Sequence, residues 1–333
     1  MAVPRISRRA LGIWAAAGAA SSLASPLALA QATAYPQPGR PIRLLVGLAA
    51  GGSLDGQARA IARRLNEMGV QVVVENKPGA SMILSASEVM RATPDGYTLL
   101  YAPSSVFAQN PHTLASVPYD PFKDFTPITL AARGPLVLTV HTSLNVHNVK
   151  ELVAWAKANP GKLNFASFGT GTSSHIYAMA FAKAVGIDIT HVPYKGTGEA
   201  VRDLLEGRVQ AYFDAAPTAI QNTATGRIRM IGVAAPKRMP AAPEVPTFTE
   251  QGVAGMDLTS WIAVVGPPNL PREIQQKANQ LFVQALSAQD VKDFLAKGAY
   301  EAAPSTPAEL TQEMRVAYDK WGQMVKAIGF EKQ

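Results

Sequence analysis

Short apolar runs alternate along this chain with stretches in which apolar residues recur every three or four positions. Ile42-Arg43-Leu44-Leu45-Val46 is apolar at all but one position, the pattern of a strand buried on both faces. Residues 57–68 then place Ala58, Ile61, Ala62 and Leu65 on one face of a helix. Runs at 70–74, 97–101 and 136–140 predict further strands, the second set off by the turn signal Pro94-Asp95-Gly96. Asn148 followed by Glu151 has capping-box spacing ahead of Val149, Leu152, Val153 and Ala156, and Pro160-Gly161 closes that helix. The second half continues with strands at 163–166, 189–192, 209–213 and 228–234. A helix at 173–185 turns Ile176, Met179, Ala180 and Ala184 inward and stops at Gly186, and another carries Val201, Leu204 and Leu205 before Gly207. Two helices finish the chain. One, at 271–287, buries Ile274, Ala278, Leu281 and Phe282; the other opens at Thr306-Pro307 with Glu309 and buries Leu310, Met314, Ala317 and Trp321. This alternation predicts an α/β fold with largely parallel sheets, and 333 residues suit two lobes better than one.

The first thirty residues break the pattern. Arg5, Arg8 and Arg9 precede an apolar stretch rich in Ala and Gly, and Ala28-Leu29-Ala30 supplies small residues before Gln31. Residues 1–30 therefore read as a secretory signal peptide. Ser7-Arg8-Arg9-Ala10-Leu11 also resembles the twin-arginine export motif, with Gly12 where a larger apolar residue is usual, so twin-arginine and Sec export both stay open. No later apolar run approaches the ~20 residues that span a bilayer; Trp261 to Val265 is stopped by Gly266-Pro267-Pro268.

Composition narrows the classes further. Hydrophobic residues make up 47% and charged residues 17%, which is unlike a disordered chain. The absence of cysteine excludes disulfide scaffolds, thiolate metal sites, iron–sulfur clusters, a cysteine nucleophile and a lipid anchor on an N-terminal Cys. The net charge of +7 suggests an anionic partner, but the three signal arginines account for part of it; without them 28 basic residues face 24 acidic ones. Basic side chains such as Arg59, Arg63 and Arg64 lie along helices without interleaved aromatics, which argues against a nucleic-acid surface.

In open α/β sheets ligands sit at the carboxyl ends of strands, against helix N-termini. Three strand–helix junctions stand out. The first, 47–55, holds Gly51, Gly52, Ser53 and Asp55. The second, 167–175, holds Ser167, Gly169, Thr170, Gly171, Thr172, Ser173 and His175, small hydroxyls and glycines of the kind that cradle an anion. At the third, Asp214 ends an apolar strand, and Ser104 and Ser105 hold the equivalent place after the strand at 97–101. Each junction also reads as a plain capped turn, with Ser53, Asp55 or Asp214 as cap. A nucleotide fingerprint lacks its third glycine, where Ser174 stands, and there is no P-loop. His112, His141, His147, His175 and His191 show no metal spacing, and there is no Gly-x-Ser-x-Gly elbow. No cofactor is expected.

In combination these segments resemble the receptor component of tripartite tricarboxylate transporters, the Bug receptors. The matching residues are Pro41-Ile42-Arg43-Leu44, Gly51-Gly52-x-x-Asp55-x-x-Ala58-Arg59, Val74-Glu75-Asn76-Lys77-Pro78-Gly79-Ala80 and Pro94-Asp95-Gly96-Tyr97-Thr98-Leu99-Leu100. Tyr35-Pro36, Asn110-Pro111, Ala158-Asn159-Pro160-Gly161-Lys162, His191-Val192-Pro193-Tyr194-Lys195-Gly196, Asp203-Leu204-Leu205, Gln210-x-x-Phe213-Asp214 and Val245-Pro246-Thr247 continue the match. The resemblance implies a type II-like periplasmic binding protein, two α/β lobes joined by a hinge with the ligand between them. Residues 31–133 with 256–333 would form one lobe and 134–255 the other. It implies a small carboxylate held mainly by backbone N–H groups and hydroxyls of the two Gly-rich loops, membrane subunits of a transporter as partners, a periplasmic location and a monomer without catalysis. Leu48-Ala49-Ala50 and Ser81-Met82-Ile83-Leu84 depart from the family pattern and would make the cleft more apolar, leaning toward an aromatic or longer aliphatic acid. The competing classes are a secreted enzyme acting on a small acid, using Ser174 or Ser105 with His175, and a sensory partner of a signalling protein.

Overall fold

The computed structural model describes residues 35–194 and 196–333; the signal expected at 1–30 lies outside the described residues. Of the chain before Pro38, residues 35–37 are described, with a cis Tyr35–Pro36 bond. From Pro38 the chain forms β1 (Ile42–Val46), α1 (Ser53–Glu67), β2 (Val72–Asn76), α2 (Ile83–Met90) and β3 (Thr98–Pro103). A π-helical stretch, Ser105–Gln109, leads into α3 (Asn110–Thr113) and β4 (Thr126–Gly134). Next come β5 (Leu136–His141), α4 (Val149–Ala158), β6 (Asn164–Ser167), α5 (Ser173–Val185), β7 (Thr190–Pro193) and α6 (Thr197–Leu205). Then follow β8 (Ala211–Ala215), α7 (Ala216–Thr223), β9 (Ile228–Ala234), β10 (Ser260–Gly266), α8 (Arg272–Ser287), α9 (Gln289–Lys297), β11 (Glu301–Ala302) and α10 (Pro307–Ile328).

Local signals explain most element ends. Gly186, at φ +65°, accommodates the left-handed residue that closes α5. Asn148 caps α4 by accepting from the Glu151 N–H at 2.9 Å, while the Glu151 carboxylate takes the His147 N–H at 2.7 Å. Thr306 and Glu309 form the full reciprocal box at the head of α10. β2 starts two positions later than the apolar run predicts, because Gly69 and Val70 complete the turn that ends α1, Val70 N–H donating to Leu65 O at 2.9 Å.

The strands form two sheets, one per lobe, in the orders β11-β4-β10-β3-β1-β2 and β7-β6-β8-β5-β9. Both are mixed rather than largely parallel. β2, β1 and β3 run parallel, as do β7, β6 and β8, but β10 is antiparallel to β3 and β4, and β5 is antiparallel to β8 and β9. The chain leaves the first sheet through β4 and re-enters it through β10. In that sheet β4 runs in the same direction as β1, β2 and β3 but is separated from them by β10, and only β10 and the short β11 run against the βαβ units. One crossing is a single residue, Pro135, which cannot donate to either ladder and so ends both. The Tyr300 ring lies on Gly134 so closely that a Cβ there would sit 2.3 Å from it. The return crossing is the irregular segment 235–259. α10 packs on β4 and the π-helical stretch and also reaches α5, where Trp321 meets Tyr177 edge-on at 5.7 Å. The parallel strands of both sheets end toward the junction, and that places the strand–helix loops.

Candidate functional site

The first loop is fastened from within. Asp55 is 3% exposed, and its Oδ2 accepts from the Gly51 N–H at 2.8 Å and from Arg59 Nε at 3.0 Å. Arg59 holds the carboxyl below the usual carboxylate range, burial opposing it. Arg59 also donates to Asn76 Oδ1 at 3.0 Å, and Asn76 returns a bond to Leu48 O at 3.0 Å. Asp55 therefore fixes the turn, and it is Gly52, not Ser53 or Asp55, that occupies the cap position of α1, with no side-chain hydrogen bond. The first-turn N–H groups of α1 are left open to a ligand. Ser53 Oγ accepts from Gln57 Nε2 at 3.2 Å, and Gln57 Oε1 accepts from the buried Tyr101 hydroxyl at 2.9 Å. Gly51 adopts φ +85°, where a side chain would be strained.

The second loop is built in the same way. Ser167 is fully buried; its Oγ donates to Gly169 O at 3.1 Å, accepts from the Gly169 N–H and lies 2.7 Å from His191 Nε2. His175 Nδ1 accepts from the Gly171 N–H at 3.1 Å, so this ring is neutral at that nitrogen. The His175 and His191 rings stack at 3.5 Å and 5°. Burial, then the neighbouring His191, pushes His175 down to about 4, and burial lowers His191 as well. Thr172 Oγ1 donates to Gly169 O at 2.6 Å, and Thr172 occupies the cap position of α5 without a side-chain bond to that helix's N–H groups. Thr170 is exposed and Ser173 half-buried. Ser174 is buried and accepts from the Phe168 N–H at 3.1 Å; its hydroxyl turns toward Thr172, not toward His175.

Two consecutive residues tie the loops together; Asn110, with Pro111, is part of the family resemblance, while nothing in the local pattern singles out Gln109. Gln109 Nε2 donates to Gly171 O at 2.6 Å. Asn110 Nδ2 donates to Ser81 O at 2.9 Å, and the next residue, Met82, packs against Gly47, where a Cβ would lie 2.6 Å from its side chain. Ser81 and Met82 both adopt positive φ, 53° and 70°, a conformation that favours glycine. Leu84 lies against Gly79 at the start of this turn and, 56% exposed, lines a separate hollow with Arg40, Glu88 and Arg91. Phe330, close to the C-terminus, completes the second loop: it lies edge-on to His175 at 5.5 Å and against Gly171.

Asp214 is the penultimate residue of β8 and is 0% exposed. It does not cap α7, whose cap position is Ala215. Both carboxyl oxygens lack a well-aligned hydrogen-bond partner among the described residues, as do the Tyr212 hydroxyl and Trp261 Nε1. Burial pushes Asp214 up to about 8. Ser104 is buried and accepts weakly from the Trp261 N–H at 3.5 Å, while Ser105 is half-buried. Tyr300, from the turn after α9, interacts with Ser53, Gln57 and Asp214, which links the first loop to the end of β8. Among the described residues no cluster of three or more His, Asp or Glu can hold a metal ion, and no helix is long and apolar enough to cross a membrane.

Two mixed-sheet lobes with uncapped helix starts at their junction define a binding protein of the two-lobed periplasmic type. A family model for the tripartite tricarboxylate transporter family receptor matches residues 57–330. BugT of Bordetella pertussis is 32% identical over 295 residues, covering 88% of this chain and 90% of that protein. A solved Rhodopseudomonas palustris protein with adipate superposes at a TM-score of 0.81 with 32% identity, over 89% of this chain and 99% of its own. MatC of the same organism, with bound malate, gives 0.76 and 28% over 87% and 100%. The chain belongs to the tripartite tricarboxylate transporter receptor family.

Proposed function

We propose that this protein is a periplasmic receptor that binds a small carboxylate between its lobes and hands it to the membrane subunits of a tripartite tricarboxylate-type transporter. One observation carries the reading. α1 and α5, one from each lobe, both begin without a side-chain cap, and their loops are linked through Gln109 and Asn110. The open N–H groups and positive ends of two helix dipoles suit a carboxylate without an ion pair. Gly51, Gly52, Ser53, Thr170, Gly171, Thr172 and Ser173 line this position, with Ser104 and Ser105 beside it; Asp55, Ser167 and His175 act behind it by holding the loops. Ligand contacts made to both lobes at once favour closure about the crossings at Pro135 and 235–259. The signal at 1–30 delivers the protein to the periplasm, and it works there as a monomer.

Binding without catalysis fits the same geometry. Ser167 has a histidine at hydrogen-bond distance, but its hydroxyl is fully buried and engaged by Gly169. The adipate-bound relative supports a linear aliphatic acid, and Leu48, 45% exposed on the first loop, with Met82 behind Gly47, adds apolar surface there. Native mass spectrometry of the purified protein, then calorimetry over a series of mono- and dicarboxylates, tests the reading. The expected result is one-to-one binding without turnover, weakened at least about tenfold by Gly171→Val with the fold retained, since φ +73° disfavours valine. Binding of no carboxylate, or conversion of one, would overturn it.

A further inference from the structure

We propose that Asp214 recognises the bound acid as a neutral carboxylic acid, donating its own O–H to a ligand oxygen, so that ligand binding is linked to a proton. This rests on the carboxylate-receptor reading and specifies one contact within it.

The argument begins with what surrounds the side chain. Asp214 is fully buried, and neither oxygen has a well-aligned hydrogen-bond partner among the described residues, the Ala215 N–H and the Tyr212 hydroxyl lying near it. Tyr212, two positions back on β8 and so on the same face, turns its hydroxyl toward Asp214 and Thr197 without a well-aligned hydrogen bond to either. Tyr300 approaches from the turn after α9. Across the ladder stands Val137 of β5. The titratable groups facing Asp214 are thus two phenols, each held neutral by burial, and among the described residues it has no ion pair. A carboxylate cannot stay charged in such a place, because desolvation without a partner favours the neutral acid. Burial is the main cause of its raised pKa, with the Ala215 N–H and Tyr212 opposing it. The position is also functional in geometry. Asp214 lies one residue from the carboxyl end of β8 and near Tyr300, which itself reaches Ser53 and Gln57 at the head of α1. An ionised aspartate here would repel an anionic ligand, whereas the acid form supplies a donor. A single acid O–H directed at a ligand carboxylate or carbonyl favours acceptor oxygens over ammonium groups.

Two measurements decide the matter. In the first, calorimetry is run from pH 7 to 9 with the tightest binder of a succinate-to-sebacate series, in buffers of different ionisation enthalpy. With a proton held to about pH 8, wild-type affinity falls about tenfold between pH 7 and 9, and binding takes up protons. Asp214→Asn, which keeps a donor and the shape, retains affinity near the wild-type value at pH 7 and loses the pH dependence; Asp214→Ala loses at least about tenfold. Proton release on binding, an unchanged pH profile in Asp214→Asn, or an undiminished affinity in Asp214→Ala would each overturn the proposal. The second measurement needs no ligand. The native protein holds this proton to about pH 8 and the unfolded chain releases it near 3.8, so the melting temperature of Asp214→Asn relative to wild type rises from pH 5 to 8 and then levels off. A pH-independent difference would show an ionised Asp214 and sink the idea. Should no acid of the series bind, the receptor reading fails, while the ligand-free profile still decides the protonation state.

Discussion

Asp55 turns its carboxylate onto its own loop. As an acid beside two glycines it reads equally as a ligand contact or a cap, and the structure gives it a third task, joining the Gly51 N–H to Arg59. Asp55→Ala removes the acceptor of the Gly51 N–H and of Arg59 Nε, so a stability loss of about 1–2 kcal/mol in urea titration is expected, together with weaker carboxylate binding. Asp55→Asn keeps the acceptor and recovers most of the stability. His175 carries the clearest acid sensitivity. Its folded pKa lies near 4, below the unfolded 6.5, so its contribution is complete above about pH 6.5 and disappears as pH falls through 4. Stability drops over that window by up to about 3 kcal/mol. Asn at this position offers an acceptor to Gly171 without a titrating ring, and urea midpoints of His175→Asn should be flatter from pH 7 to 4.5.

At the scale of elements, local chemistry was readable wherever it determined the outcome. α5 and β9 have the bounds their apolar patterns predict, and the Thr306–Glu309 box opens α10. Thr306→Ala should therefore cost about 1 kcal/mol, seen as a lower urea midpoint with native far-UV circular dichroism. α9 escaped because only Ala288, at ψ 141°, separates it from α8, with neither Gly nor Pro to signal the break. The reversed strands β5 and β10 escaped because strand direction is set by where the chain crosses between sheets, which periodicity does not encode. The candidate site divides the same way. Its loops stand out as Gly- and hydroxyl-rich junctions, while Gln109, Tyr300 and Phe330 come from far along the chain and carry no local mark. Ser81 and Met82 hold positive φ in the segment where the chain departs from the family pattern, a backbone conformation that glycine adopts without strain.

For the whole molecule, the two crossings and α10 are the parts that must accommodate any lobe movement. Pro135 is too short to bend far, so rotation is expected to use the longer segment 235–259. Small-angle scattering should show a smaller radius of gyration with a bound acid than without; an unchanged radius would mean that the lobes are already closed. Trp321→Ala removes a buried indole from the contact of α10 with α5 and should cost about 3–5 kcal/mol.

That indole has an optical consequence. Trp321 lies edge-on to Tyr177 at 5.7 Å, within the range over which tyrosine passes its excitation to tryptophan, and Trp261 is stacked on Phe107 within the first lobe. A turn of α5 against α10 changes the surroundings of the first indole and leaves those of the second. With Trp155 of α4 also replaced by Phe, Trp321 is an internal reporter and Trp261 a reference, and comparing emission from Trp261→Phe and Trp321→Phe in that background would follow lobe movement without a dye.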